Sequence, residues 1–197
     1  CLSRGLGDVY KRQLSKIAQE AVVRFYNEMS EKIYGIVRTG TVLGERMPKK
    51  TAANIFVDKG VKGERLTPYR HSMHRPMLYV DISDVCKAYE SFSRKILNYE
   101  IRKSGNSLSH IVNIYYPEAV SIFELAEIVR DCVARHTGGI INPNIDIVDK
   151  GLPSLFSVED KSKIAVDVSR AKELLGISSF LSPRESLERI VRKRLTL

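Results

Sequence analysis

Arg75-Pro76-Met77-Leu78-Tyr79-Val80-Asp81-Ile82-Ser83-Asp84-Val85 is the stretch on which the fold turns. Met77 to Val80 is a short apolar run that reads as a buried strand. Asp81 to Leu97 then follows a helical period, with Val85, Ala88, Tyr89, Phe92 and Ile96 on one face. Asp81 and Asp84 stand at the helix start, where carboxylates favour the dipole, and their expected role is structural. Strand runs directly into helix here, and the same alternation recurs on both sides.

Upstream, Leu14, Ile17, Ala18, Ala21, Val22, Phe25 and Met29 recur at helical spacing, and Ile33 to Val37 reads as a strand. A loop with Gly40 and Gly44 follows, then a short helix from Thr51 to Lys59 closed by Gly60. Gly63 to Arg75 is polar and turn-rich. Downstream, Ile111 to Tyr115 is a strand. Ser121 and Glu124 form a capping box for a helix whose apolar face is Leu125, Ile128, Val129, Cys132 and Val133. Ile145 to Val148 reads as a strand and Leu152 to Ser162 as a loop. Two helices finish the chain, Ser169 to Leu175 stopped by Gly176, and Pro183 to Arg194 with its proline in the first turn. Strands alternating with helices predict an α/β protein with a largely parallel sheet.

The 197 residues, 43% hydrophobic and 28% charged, have ordinary globular composition, which excludes a fibrous or largely disordered protein. No apolar run approaches the roughly 20 residues of a membrane-spanning helix, so no membrane partner is expected. Cys1, Cys86 and Cys132 are too few and too scattered for a disulfide framework or a zinc site. A reducing cytoplasmic setting is the simplest home, with Cys86 and Cys132 as core thiols. The net charge of +9 leaves phosphate-bearing small ligands and nucleic acids equally open on composition. Without basic–aromatic interleaving or a recognition-helix pattern, nucleic acid is not the expected partner. Arg189, Arg192, Lys193 and Arg194 read as a solvated helix face, and His71 and His74 lack the further ligands a metal site needs.

Residues 1–13 stand apart. They show no amphipathic period, contain Gly5-Leu6-Gly7 without a strand or third glycine, and resemble translated sequencing-adapter sequence. They are set aside as foreign, with the expectation that an upstream part of the protein is missing and that residues 14–197 form the native segment.

Five motifs share an order. Ser15-Lys16-Ile17-Ala18-Gln19-Glu20 heads the first helix, and Arg38-Thr39-Gly40-Thr41-Val42-Leu43-Gly44 follows a strand. The Arg75 to Val85 stretch comes next, then Asn113 ahead of Val120-Ser121-Ile122-Phe123-Glu124, and last Asp167-Val168-Ser169-Arg170-Ala171-Lys172-Glu173-Leu174-Leu175-Gly176. Together, from Leu14 to about Val191, they resemble the C-terminal half of an extended short-chain dehydrogenase/reductase of the NAD-dependent nucleotide-sugar epimerase/dehydratase branch.

The resemblance implies the C-terminal part of a Rossmann-like, doubly wound parallel sheet with a small α/β substrate-binding lobe, its N-terminal strands missing. It implies NAD or NADP as cofactor, a nucleotide-diphosphate sugar as substrate, and a homodimer built on the Leu14 to Met29 helix. Lys16 matches the family lysine that holds the nicotinamide ribose and lowers the pKa of a tyrosine four residues earlier. That position here is Arg12, and Tyr10 is out of register, so the catalytic tyrosine is absent and no activity is expected of this chain. Arg38, Thr39, Gly40 and Val42 are implied beside the cofactor, although Thr39 stands where proline is usual and Gly40 serves equally as a turn glycine. Arg75 is implied to grip diphosphate bidentately, and Asn54 to face sugar or base. Read without the resemblance, Lys16 is a solvated lysine, Arg75 a loop arginine and Asn54 a helix-surface asparagine. A same-fold reductase of another carbonyl substrate and a non-catalytic dinucleotide-binding regulator remain as rivals.

Overall fold

Asp81 closes one strand, caps the helix that follows, and meets Arg189 from the last helix of the chain. The structure, a computed structural model, describes residues 2–98, 100, 101 and 110–196, with side chains from Lys11 onward except Arg12. In chain order the elements are α1 (Leu2–Met29), β1 (Ile36–Thr39), β2 (Thr41–Leu43), α2 (Ala52–Val61), β3 (Pro76–Met77), β4 (Tyr79–Asp81), α3 (Ile82–Leu97), β5 (Ile111–Ile114), β6 (Val120–Ser121), α4 (Ile122–His136), α5 (Ser169–Leu175) and α6 (Pro183–Leu195).

The expected α/β class is present, with strands shorter and more divided than the sequence suggests. β1 pairs in parallel with β5, β2 pairs in parallel with β4, and β3 pairs antiparallel with β6. β1 starts later than the expected Ile33, its ladder opening with the Ile36 amide on the His110 carbonyl at 2.9 Å. β2 lies where a plain loop is expected. The Thr41 amide donates to the Leu78 carbonyl at 2.9 Å, so the chain leaves one strand pair at Gly40 and enters the next. The expected Met77 to Val80 strand divides at Leu78, β3 facing β6 and β4 facing β2. Ile145 and Val148 make isolated parallel bridges to Leu66 and Tyr69 instead of a strand. Pro68, between those two partners, has no amide to donate and interrupts the ladder.

The helices follow their local signals closely. Thr51 caps α2 through the Asn54 amide, and the capping box of Ser121 and Glu124 opens α4 as expected. α2 passes through buried Gly60, and the positive-φ glycine lies beyond its end at Gly63 (φ 72°). Gly176 ends α5 at φ 69°. The helical backbone of α1 reaches back to Leu2, through the segment without an amphipathic period. Extending a formed helix across leucine, arginine, lysine and glutamine is far less costly than nucleating one.

Two apolar clusters hold the elements. Phe56, Val57, Leu125, Val129, Leu187 and Val191 join α2, α4 and α6. Ala88, Phe92, Val112, Ile114, Ala171 and Leu175 join α3 and α5 to β5. Each fully buried aliphatic or aromatic side chain contributes about 1.5–3 kcal/mol before entropy is counted. The inward face of α3 differs from the expected stripe. Asp84 and Ser91 are buried, because the 175–181 segment supplies their partners: Asp84 accepts the Leu181 amide at 2.8 Å and Ser91 donates to the Leu175 carbonyl at 2.8 Å. Tyr89 and Cys86 are exposed in consequence, so the reading of Cys86 as a core thiol is corrected, while Cys132 is buried. The basic face of α6 is solvated as expected at Arg189, Arg192 and Lys193, and it also makes ion pairs. Arg189 reaches Asp81 at 2.5 Å, Lys193 reaches Glu45 at 2.6 Å, and Arg194 binds Asp58 and the Asn54 carbonyl.

Candidate functional site

Between α1 and β1 runs a groove of about 520 Å³ lined by Lys16, Gln19, Glu20, Arg38, Thr39 and Tyr115 among others. The helical period sets Lys16, Gln19, Glu20 and Val23 along one side. The parallel register sets Arg38 opposite Asn113 and Thr39 opposite Ile114 on the other. Lys16 and Thr39 are exposed. The Lys16 ammonium donates to Gln19 Oε1 at 3.1 Å.

The strongest contact in the groove is one the sequence reading did not contain. Arg38 donates from Nε to Glu20 Oε1 at 2.8 Å and from Nη2 to Glu20 Oε2 at 2.6 Å, a two-point clasp between β1 and α1. The hydrogen bond from Arg38 holds the Glu20 carboxyl below its ordinary value, and Glu20 in turn raises Arg38. A carboxylate four residues after Lys16 was the available signal, since that spacing places both on one helix face. Tyr115 stands at the same wall. Burial pushes its phenol above the ordinary value, and Arg38 opposes this without reversing it. A base working near neutral pH needs the opposite shift.

Of the residues expected at a cofactor or substrate site, the groove brings together Lys16, Arg38 and Thr39. Gly40 sits at its end in the break between β1 and β2. A Cβ there would lie 2.5 Å from the Leu78 carbonyl oxygen and 2.9 Å from the Tyr115 ring, so the glycine answers a close approach of backbone to backbone. Val42 is half-buried opposite Val80 and lines a separate cavity of about 610 Å³. That cavity is walled largely by apolar side chains such as Met47, Pro48 and Ile190, with the Asp81–Arg189 pair at one side.

Arg75 and Asn54 line neither space. Arg75 is exposed, its guanidinium carbon 6.0 Å from the centre of the Phe156 ring. Asn54 is 2% exposed, which corrects the helix-surface reading. Its amide donates to Asp58 at 3.1 Å and its carbonyl accepts from Arg194 at 2.7 Å. A network fastening α2 to α6 thus occupies the side chain expected to face a sugar. His71 stacks on Tyr69 with ring centres 5.7 Å apart, and no group of three potential ligands is placed to hold a metal among the described residues. Arg12 and Tyr10, four and six residues before Lys16, lie outside the described side chains.

No profile of a known protein family matches the sequence, and no curated protein does. Solved structures do. A UDP-N-acetylglucosamine 4-epimerase from Bacillus cereus matches with a TM-score of 0.66 at 18% identity, over 93% of this chain and 53% of that one. A UDP-glucose 4-epimerase from Thermotoga maritima, solved with UDP-glucose, gives 0.64 at 22% identity with the same coverage of 93% and 53%. A dTDP-glucose 4,6-dehydratase from Bacillus anthracis, solved with NAD, gives 0.60 at 13%, over 88% and 48%. At these identities the likeness is one of fold, and the α/β arrangement is the Rossmann-like one of those enzymes. The chain spans about half the length of the solved chains it matches.

Proposed function

We propose that this chain is the C-terminal part of an NAD- or NADP-dependent nucleotide-sugar epimerase or dehydratase, lacking by itself the groups for turnover. The observation that carries the reading is the meeting of Lys16, Arg38 and Thr39 in one groove between α1 and β1. The groove fits the ribose end of such a cofactor. An ammonium has three donors, Lys16 gives one to Gln19, and a ribose diol accepts from the others. When bound, the dinucleotide supplies hydride transfer to or from a sugar carbon.

Lys16 holds the ribose hydroxyls and presents positive charge, Thr39 lines the opposite wall, and Gly40 lets β1 turn into β2 beside them. Arg75 offers a planar two-point grip to diphosphate oxygens. A second copy of the chain is the expected partner of α1, whose Leu14, Ile17, Val22, Phe25 and Met29 are exposed. No helix among the described residues is long and apolar enough to cross a membrane, and a cytoplasmic setting suits unpaired Cys86 and Cys132.

One observation favours a second reading, a non-catalytic dinucleotide-binding regulator. Tyr115, the phenol that lines the groove with Lys16, holds its proton more tightly than usual because of burial, the reverse of what a base near neutral pH requires. Titration with NAD by calorimetry, beside an assay with UDP-glucose, tests both. Binding weakened about tenfold or more in Lys16→Ala, the worth of one charge-assisted hydrogen bond, with turnover at background, is the expected result. Turnover above background removes the inactive assignment. Equal affinity in the two proteins removes Lys16 from the site, and loss of UDP-glucose binding in Arg75→Ala decides for a nucleotide-sugar enzyme over the regulator.

A further inference from the structure

Glu20 is the natural partner of Lys16. It lies one helical turn further along α1, on the same face, where a carboxylate and an ammonium attract each other. The structure shows another arrangement. Both Glu20 oxygens are taken by Arg38, at 2.8 and 2.6 Å, and the Lys16 ammonium turns to the neutral Gln19 amide at 3.1 Å. Arg24, a turn beyond Glu20, adds a weaker pull of the same sign on the carboxylate. The fork of Arg38 wins because its two parallel bonds match a carboxylate, whereas a lysine arriving from four residues earlier is the poorer orientation of a helical pair.

We propose that Arg38 is a positioning residue: by clasping Glu20 it withdraws that carboxylate from Lys16 and keeps the ammonium available to a ligand in the groove. This rests on the assignment of Lys16 to the dinucleotide, and it gives Arg38 a task performed through Glu20 instead of by touching the cofactor. With Arg38 removed, Glu20 is released to the cations one turn to either side, Lys16 and Arg24, and any hydroxyl or anion that enters the groove to reach Lys16 must compete with it.

The test compares the wild-type chain with Arg38→Met, Glu20→Gln and the double variant, using two readouts. The first needs no ligand: the rate at which limiting acetic anhydride acetylates Lys16, followed by peptide mass spectrometry. Pairing with Glu20 is expected to lower that rate about two- to fivefold in Arg38→Met, the range of an exposed ion pair. Glu20→Gln and the double variant are expected to react like the wild type. The second readout is NAD affinity, expected to fall by the same factor in Arg38→Met and to recover in the double variant. If Arg38 merely braced α1 against β1, removing Glu20 as well would rescue neither quantity, and that result overturns the proposal. An unchanged Lys16 rate in Arg38→Met overturns it too. If the acetylation pattern holds and wild-type chain binds no NAD, withdrawal of Glu20 stands and the dinucleotide reading falls. Should Arg38→Met fail to fold, Arg38→Lys serves. One ammonium leaves a Glu20 oxygen to Lys16, and a partial fall in the rate is expected, with no fall overturning the proposal.

Discussion

A methyl group at Gly40 has nowhere to go. Its carbon would lie 2.5 Å from the Leu78 carbonyl oxygen, a backbone atom held in place by the Thr41 amide. Gly40→Ala is therefore expected to lose about 2 kcal/mol or more, read as a lower urea midpoint at unchanged slope. The residue type announced only a turn, because the oxygen that demands glycine belongs to a segment distant in sequence. Cysteines show the same limit. Cys132 is buried and its thiol is pushed up to about 11, chiefly by burial with Glu188 adding to it, while Cys86 is exposed on α3. Iodoacetamide on the native chain is expected to label Cys86 and spare Cys132 until urea is added, as peptide mapping would show. Helical period marked Cys86 as apolar-facing. What turned it outward was a pair of buried polar residues, Asp84 and Ser91, satisfied by the 175–181 segment. The burial of Asn54 has no local signal for a related reason: its partner Arg194 comes from the far end of the sequence.

Elements were legible where they carry their own instructions. α3, α4, α5 and α6 announce themselves through caps, proline placement and a terminating glycine, all within a few residues of one another. The strands do not. Two to four residues cannot display a period, and what makes β2 or β6 a strand is its partner. The groove lies between these cases: the resemblance named Lys16 and Arg38, which both line it, but the clasp of Arg38 on Glu20 joins residues 18 apart in sequence and carries no local signal. At this scale Asp81 joins β4, α3 and α6. Burial pushes its carboxyl up, but hydrogen bonds from Ser83 and Arg189 outweigh that and hold it below the ordinary value. A depressed native value means stability that is present above the unfolded carboxylate pKa, about 3.9, and lost as pH falls through the lower native one. Asp81→Asn keeps the cap acceptor and loses the charge. It is expected to cost about 1–2 kcal/mol at neutral pH and to flatten the acid limb of the stability curve, with an unaltered limb counting against the assignment.

For the whole molecule, the apolar face of α1 is the feature least accounted for by the chain's own contacts. Phe25 is 58% exposed and Met29 71%, beside Leu14, Ile17 and Val22. A contiguous patch of that kind marks an interaction surface or an aggregation hazard. Sedimentation is expected to show species heavier than the 22.3 kDa monomer, and Phe25→Glu to shift the distribution toward it. A wild-type chain that stays monomeric at all concentrations would remove the expectation of self-association. The two parallel strand pairs carry a different consequence, one of time. β1 cannot make its first bond with β5 until everything between Ile36 and Ile111 has been brought round, and β2 waits likewise for β4. Closing such long loops precedes any reward from the pairing, whereas α2 and α4 draw on neighbours within a turn. Refolding should therefore recover helical signal ahead of the sheet, and during that interval the unpaired strands stand open to one another between molecules, which makes crowding at the moment of folding the chief hazard to the yield of native chain.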